Sequence, residues 1–352
     1  MTASHQAPLL TVSDTPLNAE SPPSAWLEEL TPNSQFYIRN HFDTPDIKVG
    51  DWKLKISGLV ESEAKFTLEE IKSWPSSTQR VLLECAGNGR KALDPPIQGT
   101  AWGFGAVAQA EFTGTPLKEL IERVEPEREA VEALFVGADF GKVRTGEDIP
   151  YARSMPIAAT LDEDVILCWE MNGEELSKEH GYPLRLVVPG RYGMSSVKWL
   201  NEVRFIDEVF QGFFQVEDYV YVQAEGKEDG TPVGPMRVRS LIASHEEGQR
   251  IEGGKQTVRG IAWSGEGRLE EVLVSIDGGR QWEAAQLEPD PNAYAWTPWR
   301  AEVTFNHPGK FELMSRAKDS AGNQQPMEQY WNKGGYGNNI VQQVRVEVLP
   351  GS

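Results

Sequence analysis

A chain of 352 residues is long enough for two domains of about 150 residues, each with a core of its own. With 39% hydrophobic and 25% charged residues and no uninterrupted apolar run near the ~20 that a spanning helix needs, it reads as a soluble globular protein without a membrane partner. The net charge of -19, of which residues 1–229 carry -17 and residues 230–352 only -2, argues against nucleic acid, whose phosphates require cationic contacts.

In chain order, residues 1–33 are polar and rich in Ser and Pro, with neither the basic start and apolar stretch of a secretory leader nor an Arg-Arg pair. They are expected to form a loosely held N-terminal arm on a cytoplasmic protein. Residues 34–224 mix short helices and strands, an α+β pattern. Thr67 caps a helix with Glu70 three places on, and Pro75 ends it. Pro116 is placed at the first position of the next helix. Val165–Trp169 and Leu184–Val188 read as buried strands. Residues 225–235 turn to Gly, Lys, Asp and Pro, the composition of a linker. Residues 236–350 then carry spaced strands at Gln256–Trp263, Glu271–Ile276, Ala301–Phe305, Phe311–Lys318 and Ile340–Val348, with Asp277-Gly278-Gly279 as a hairpin turn. That spacing predicts an all-β immunoglobulin-like sandwich.

Two cysteines lie 83 positions apart, at 85 and 168, without a Cys-x-x-Cys pair, and the five histidines are scattered. That excludes a disulfide framework and weighs against a dedicated zinc site, and a reducing compartment fits. The chemically suggestive thiol is Cys85. The apolar run Val81-Leu82-Leu83 delivers it into Ala86-Gly87-Asn88-Gly89-Arg90, where glycines permit close backbone approach and Arg90 can stabilise a thiolate or an anion. A soft thiolate suits a soft or high-valent metal; a buried apolar cysteine is the plainer alternative.

Cys85-Ala86-Gly87-Asn88 followed by Arg90 resembles the metal-binding segment of the sulfite oxidase family of molybdenum enzymes, of the haem-free type. Further motifs resemble that family in the same order: Phe36-Tyr37-Ile38-Arg39-Asn40-His41, Trp102 after Gly99-Thr100-Ala101, His180-Gly181-Tyr182-Pro183-Leu184-Arg185, Val197-Lys198-Trp199-Leu200, Asp218-Tyr219, and Trp331-Asn332 in the second half. The resemblance spans about residues 34–350. It implies a molybdopterin-binding catalytic domain of sulfite oxidase type followed by an immunoglobulin-like dimerisation domain, hence a homodimer.

It further implies one molybdenum with molybdopterin per chain, with Cys85 as the protein's metal ligand. Tyr37, Arg39, Asn40, His41, Asp139, His180, Arg185, Ser196, Val197 and Lys198 would hold the pterin, with His41, His180, Arg185 and Lys198 as its cations. Arg39, Cys85, Arg90, Trp102 and Tyr219 would form the catalytic set: guanidinium forks for a small oxyanion, a tryptophan wall, and a phenol in hydrogen-bonding reach of the substrate. The implied reaction is oxidation of sulfite to sulfate by oxygen-atom transfer, with electrons passed to oxygen or a separate cytochrome. Nitrate or a sulfoxide is the alternative substrate.

Two positions depart from the animal members. Gly89 stands where they carry Arg, and Gly334, after Lys333, stands where they carry an active-site Arg; a lysine there is a point charge rather than a fork. Gly103-Phe104-Gly105-Ala106-Val107-Ala108 fits a dinucleotide fingerprint but follows no hydrophobic strand, so no flavin or nicotinamide site is expected. His307-Pro308-Gly309 echoes a haem-binding turn without a second axial histidine after it, so no haem is expected either.

Overall fold

Val81, Leu82, Leu83 and Glu84 are all buried, so the second half of the strand Ser77–Glu84 is covered on both faces and leads into the interior. The computed structural model describes residues 7–222 and 230–350. In the first half the strand pairs with Val107–Pro116, which continues through Ile166–Met171 to Glu174–Glu175, with Arg185–Val187 also on Ile166–Met171. A second five-stranded sheet runs Ala64–Phe66, Leu54–Gly58, Leu200–Ile206, Glu132–Lys142, Asp148–Pro156. Only the pairing of Leu200–Ile206 with Leu54–Gly58 is parallel there.

Among the described residues α-helix is scarce: Leu68–Lys72, Leu117–Val124 and Ile157–Thr160. The first has the expected capping box, in which Thr67 and Glu70 satisfy each other's backbone N–H groups. The second starts one residue later than predicted. Pro116 stays extended as its N-cap, because it still belongs to the strand Val107–Pro116.

Residues 10–20 correct the picture of a loose arm. Leu10–Asp14 and Leu17–Glu20 form a hairpin, and Ala19 exchanges backbone hydrogen bonds of 3.0 and 2.9 Å with Ile38. Asn18 Oδ1 accepts from the backbone N–H of Asn40 at 2.9 Å. These strands are short and polar, and their stability comes from tertiary hydrogen bonds that leave no periodic trace in sequence. Of the 225–235 linker, residues 225–229 lie outside the described residues; Thr231–Pro232 returns to pair with Val220–Tyr221.

The second half is a two-sheet sandwich. Arg239–Ile242, Gly254–Trp263, Thr297–Phe305 and Gln286–Leu287 make one sheet. Gln249–Ile251, Gln342–Val348, Gly309–Asp319, Leu269–Ser275 and Glu283–Ala284 make the other. Val258, Val272, Leu313 and Val344 are among the alternate residues that meet in the core between them. All five predicted strands are present. The Asp277 turn is wider than a two-residue hairpin: Asp277 Oδ1 accepts from the N–H groups of Arg280 and Gln281, and Gly278 and Gly279 take φ values of 74° and 84°.

The two halves share one core, in which Trp263, Trp296 and Tyr336 pack with first-half residues such as Leu82 and Val107. At its centre Glu84, 1% exposed, accepts from Arg239 Nη1 at 2.7 Å, Asn88 Nδ2 at 3.0 Å and Trp263 Nε1 at 2.9 Å. Burial pushes the Glu84 carboxyl upward, and the Arg239 guanidinium pulls it back. Removing one partner of such a pair leaves an uncompensated charge in the interior. Arg239→Met is therefore expected to destabilise the protein by about 3–5 kcal/mol, with much of the loss recovered in Glu84→Gln/Arg239→Met. A single variant that unfolds at the wild-type urea midpoint would contradict this.

Candidate active site

Cys85 leaves the sheet with its N–H bonded to Ala106 O at 2.9 Å, and its own carbonyl accepts from Asn88 N at 2.9 Å, closing the turn. Gly89 sits at φ +82°, in the left-handed region that glycine tolerates, and a Cβ there would meet Arg239 Nη2 at 2.7 Å. The thiol thus stands where two hollows meet. The inner one, a cavity of about 60 Å³, and the outer funnel share Arg39, Cys85 and Tyr219 in their walls.

The inner cavity gathers most of the expected pterin residues: Tyr37, Arg39, Asn40, His41, Asp139, His180, Arg185, Ser196 and Lys198. Lys198 Nζ donates to Asn40 Oδ1 and to Glu179 O (2.6 Å for the latter), while Arg185 Nη1 donates to His180 O at 2.9 Å. Ser196 Oγ accepts from Val188 N at 3.0 Å. Val197 is the exception: its side chain is fully buried in the hydrophobic core and does not line the cavity.

The charge pattern differs from expectation at the two histidines. Burial, reinforced by Lys198 and Arg185, takes His180 down to about 3. Burial and then Arg39, Lys198 and Arg153 hold His41 far below its usual value. Both rings are neutral near pH 7, so Arg39, Arg185 and Lys198 are the potential cations. Lys198 is itself pushed well down by burial and by Arg185, and an incoming anion would draw its proton back. For Arg39, burial opposes the charge, but the Tyr219 phenol and Cys85 thiol beside it leave its guanidinium above its ordinary value. Burial also pushes the Cys85 thiol upward against the pull of Arg39.

The outer funnel is walled by Trp102, fully buried, together with Arg90, Tyr219, Lys333 and Tyr336. Arg90 is not a free fork. Its Nε and Nη2 donate to Gly334 O at 3.2 and 2.9 Å, and Nη1 donates to Thr100 O at 2.9 Å, which commits three of its five N–H groups. Tyr219 Oη lies 2.7 Å from His41 Nε2. Sequence reading missed Tyr151, which stacks on His41 at 4.6 Å and donates to Met194 O at 2.6 Å. Its signal was the alternation of Tyr151 and Arg153 along one strand, which puts both side chains on one face. It also missed Gly193, where a Cβ would come within 2.8 Å of Tyr37 Oη.

These residues fit a molybdopterin. Asp139 Oδ1 and Arg185 Nε are buried without hydrogen-bond partners, as polar atoms reserved for a ligand would be. Among the described residues no three His, Cys, Asp or Glu side chains cluster to hold a metal ion. A metal here would thus rest on the single soft ligand Cys85 and on sulfur brought by its own cofactor.

The chain is similar in sequence and fold to known proteins. The model of the oxidoreductase molybdopterin binding domain matches residues 41–214, and that of the Mo-co oxidoreductase dimerisation domain matches residues 232–349. The chain is 34% identical to the mitochondrial sulfite oxidase of Drosophila melanogaster over 96% of its own length and 63% of the relative's. It is 34% identical to the sulfite oxidase of Arabidopsis thaliana over 90% and 88% of the two chains. In structure it is similar to the sulfane dehydrogenase SoxCD of Paracoccus pantotrophus, with a TM-score of 0.83, 28% identity, and coverage of 96% and 88%.

The neutral His180 makes a pH prediction for the cofactor-free protein. The unfolded chain takes up its proton near 6.5, the folded chain only near 3. Below 6.5 the unfolded state holds more protons, so stability present above that pH is lost as pH falls towards 3. Asp139, raised to about 6 chiefly by burial, works in the opposite sense between 6 and 3.8. His180→Gln is expected to flatten the fall of the urea midpoint below pH 6.5; an acid limb as steep as wild type would refute it.

Proposed function

The chain belongs to the sulfite oxidase family of molybdopterin oxidoreductases, and on that premise we propose that it oxidises sulfite to sulfate and passes the electrons to an external acceptor, oxygen or a separate cytochrome. The observation that carries the reading is the place of Cys85, between an inner cavity lined by Arg39, Arg185 and Lys198 and an outer funnel lined by Arg39 and Arg90. The activity named for the Drosophila and Arabidopsis relatives supports sulfite as the substrate. The dimerisation-domain match supports a homodimer with its second domain of immunoglobulin-like type. Two buried free thiols support a cytoplasmic setting.

When bound, the molybdenum cofactor would supply the two-electron oxygen-transfer chemistry that no side chain can perform. Arg185, Lys198 and Asp139 would hold its pterin, and Cys85 would ligate the metal. Arg39 would draw the oxyanion to the foot of the funnel, with the two uncommitted N–H groups of Arg90 as a second hold. With its proton on Nε2, neutral His41 would donate to Tyr219 Oη and leave the phenol O–H for a substrate oxygen. Burial keeps that phenol protonated, since it raises the Tyr219 hydroxyl well above its ordinary range. Trp102 and Tyr336 would exclude bulk water and so strengthen each charged contact.

Metal and pterin analysis of the purified protein, followed by sulfite-dependent reduction of ferricyanide, is the direct test. Molybdenum-loaded protein that ignores sulfite but turns over nitrate would sink the reading. Cys85→Ser is expected to abolish turnover. Arg39→Met is expected to raise the KM for sulfite roughly ten- to a hundredfold, the worth of one charge-assisted hydrogen bond. Sedimentation should find a dimer; a monomer at working concentration would remove that part.

A further inference from the structure

We propose that Tyr336, carried by the second domain, is a positioning residue that sets how tightly this site holds a small oxyanion. It does so by filling the space beside Gly334 and by fixing Tyr219 and Arg90. The proposal deepens the sulfite reading, and its test includes a measurement that does not depend on sulfite turnover.

Residues 332–336 form a built finger rather than a slack loop. Asn332, fully buried, donates from Nδ2 to Tyr336 O at 2.8 Å and accepts from Tyr336 N at 3.0 Å. Lys333 N donates to Val222 O at 2.7 Å, tying the finger to the first domain. The finger delivers a ring that is only 6% exposed into the wall of the funnel. That ring lies 4.9 Å from the ring of Tyr219, and the Arg90 guanidinium sits over it at 5.3 Å. Its Oη donates to Asp218 Oδ1 at 3.2 Å, the residue next to Tyr219.

Gly334 shows what this costs the site. A Cβ at 334 would stand 2.4 and 2.5 Å from two carbons of the Tyr336 ring, so no side chain fits there while the ring is in place. Gly335, at φ +62°, is crowded as well, since a Cβ would lie 3.0 Å from Arg90 Cγ and Nε and the arginine side chain would have to give way. The finger therefore lays a neutral aromatic face and the Gly334 carbonyl against Arg90, where a longer side chain would have brought a further charge to the substrate. An anion is left with Arg39, the free edge of Arg90 and the exposed Lys333. Moderate affinity for sulfite, and easy release of the more highly oxidised product anion, follow from that geometry.

The test is made on metal-loaded enzyme, with sulfate binding by calorimetry beside sulfite kinetics, and molybdenum content as a control. Tyr336→Phe keeps the ring and should bind sulfate within twofold of wild type. Tyr336→Val should lower kcat about tenfold, as Tyr219 and Arg90 lose their packing. Adding Gly334→Arg to Tyr336→Val should tighten sulfate binding and lower the sulfite KM at least tenfold relative to Tyr336→Val alone, whereas Gly334→Arg beside an intact Tyr336 should weaken both or fail to fold. A double variant no tighter than Tyr336→Val, or a Gly334→Arg variant that binds sulfate better than wild type, would overturn the proposal. If wild type ignores sulfite while sulfate affinities shift as stated, the substrate reading falls and the role of Tyr336 stands.

Discussion

The burial of one carboxylate organises this molecule. Glu84 is the residue before Cys85, and its side chain points away from the site into the seam between the domains, where Arg239 and Trp263 from the second domain and Asn88 from the Cys85 turn converge on it. A carboxylate so placed is tolerable only with all its partners present. The strand that aims Cys85, the turn that follows it, and the docking of the second domain are therefore one cooperative unit. Gly89 belongs to the same constraint, because any side chain there would displace Arg239.

This bears on how a two-domain chain makes one site. The second domain is more than a platform for a partner subunit. It closes the back of the Cys85 turn through Arg239 and the front of the funnel through Tyr336. Between these two contacts the first domain contributes the charged and aromatic residues, drawn from the 36–41 segment, the strand Asp148–Pro156 and the loop around Ser196.

Much of this was legible in sequence, and the reasons differ from residue to residue. Cys85, Arg39 and Tyr219 sit in ordered motifs whose residue types are tied to chemistry, so they could be named and they do converge. The strands of the second domain follow from simple alternation. What could not be read was the environment. His41 and His180 were counted as cations, but their charge depends on burial first and then on neighbouring cations, of which Lys198 and, for His41, Arg153 are distant in sequence. Arg90 was counted as a free fork, yet its donors are taken by carbonyls at 100 and 334. The hairpin at 10–20 was missed because its partner, Ile38, supplies what its own polar residues do not.

The funnel has an electrical consequence. Its floor is cationic, Arg144 and Lys333 balance Glu217 and Asp218 in its wall, and the first 229 residues of the chain carry a net -17. An approaching dianion therefore meets repulsion until it is within about one Debye length, ~8 Å at physiological ionic strength, of Arg39. Added salt screens the distant acidic surface far more than the buried guanidinium at the bottom. In this protein, unlike one with an attractive outer field, moderate ionic strength would speed the capture of an anion, while a cationic redox partner would be drawn to the same surface best in dilute buffer.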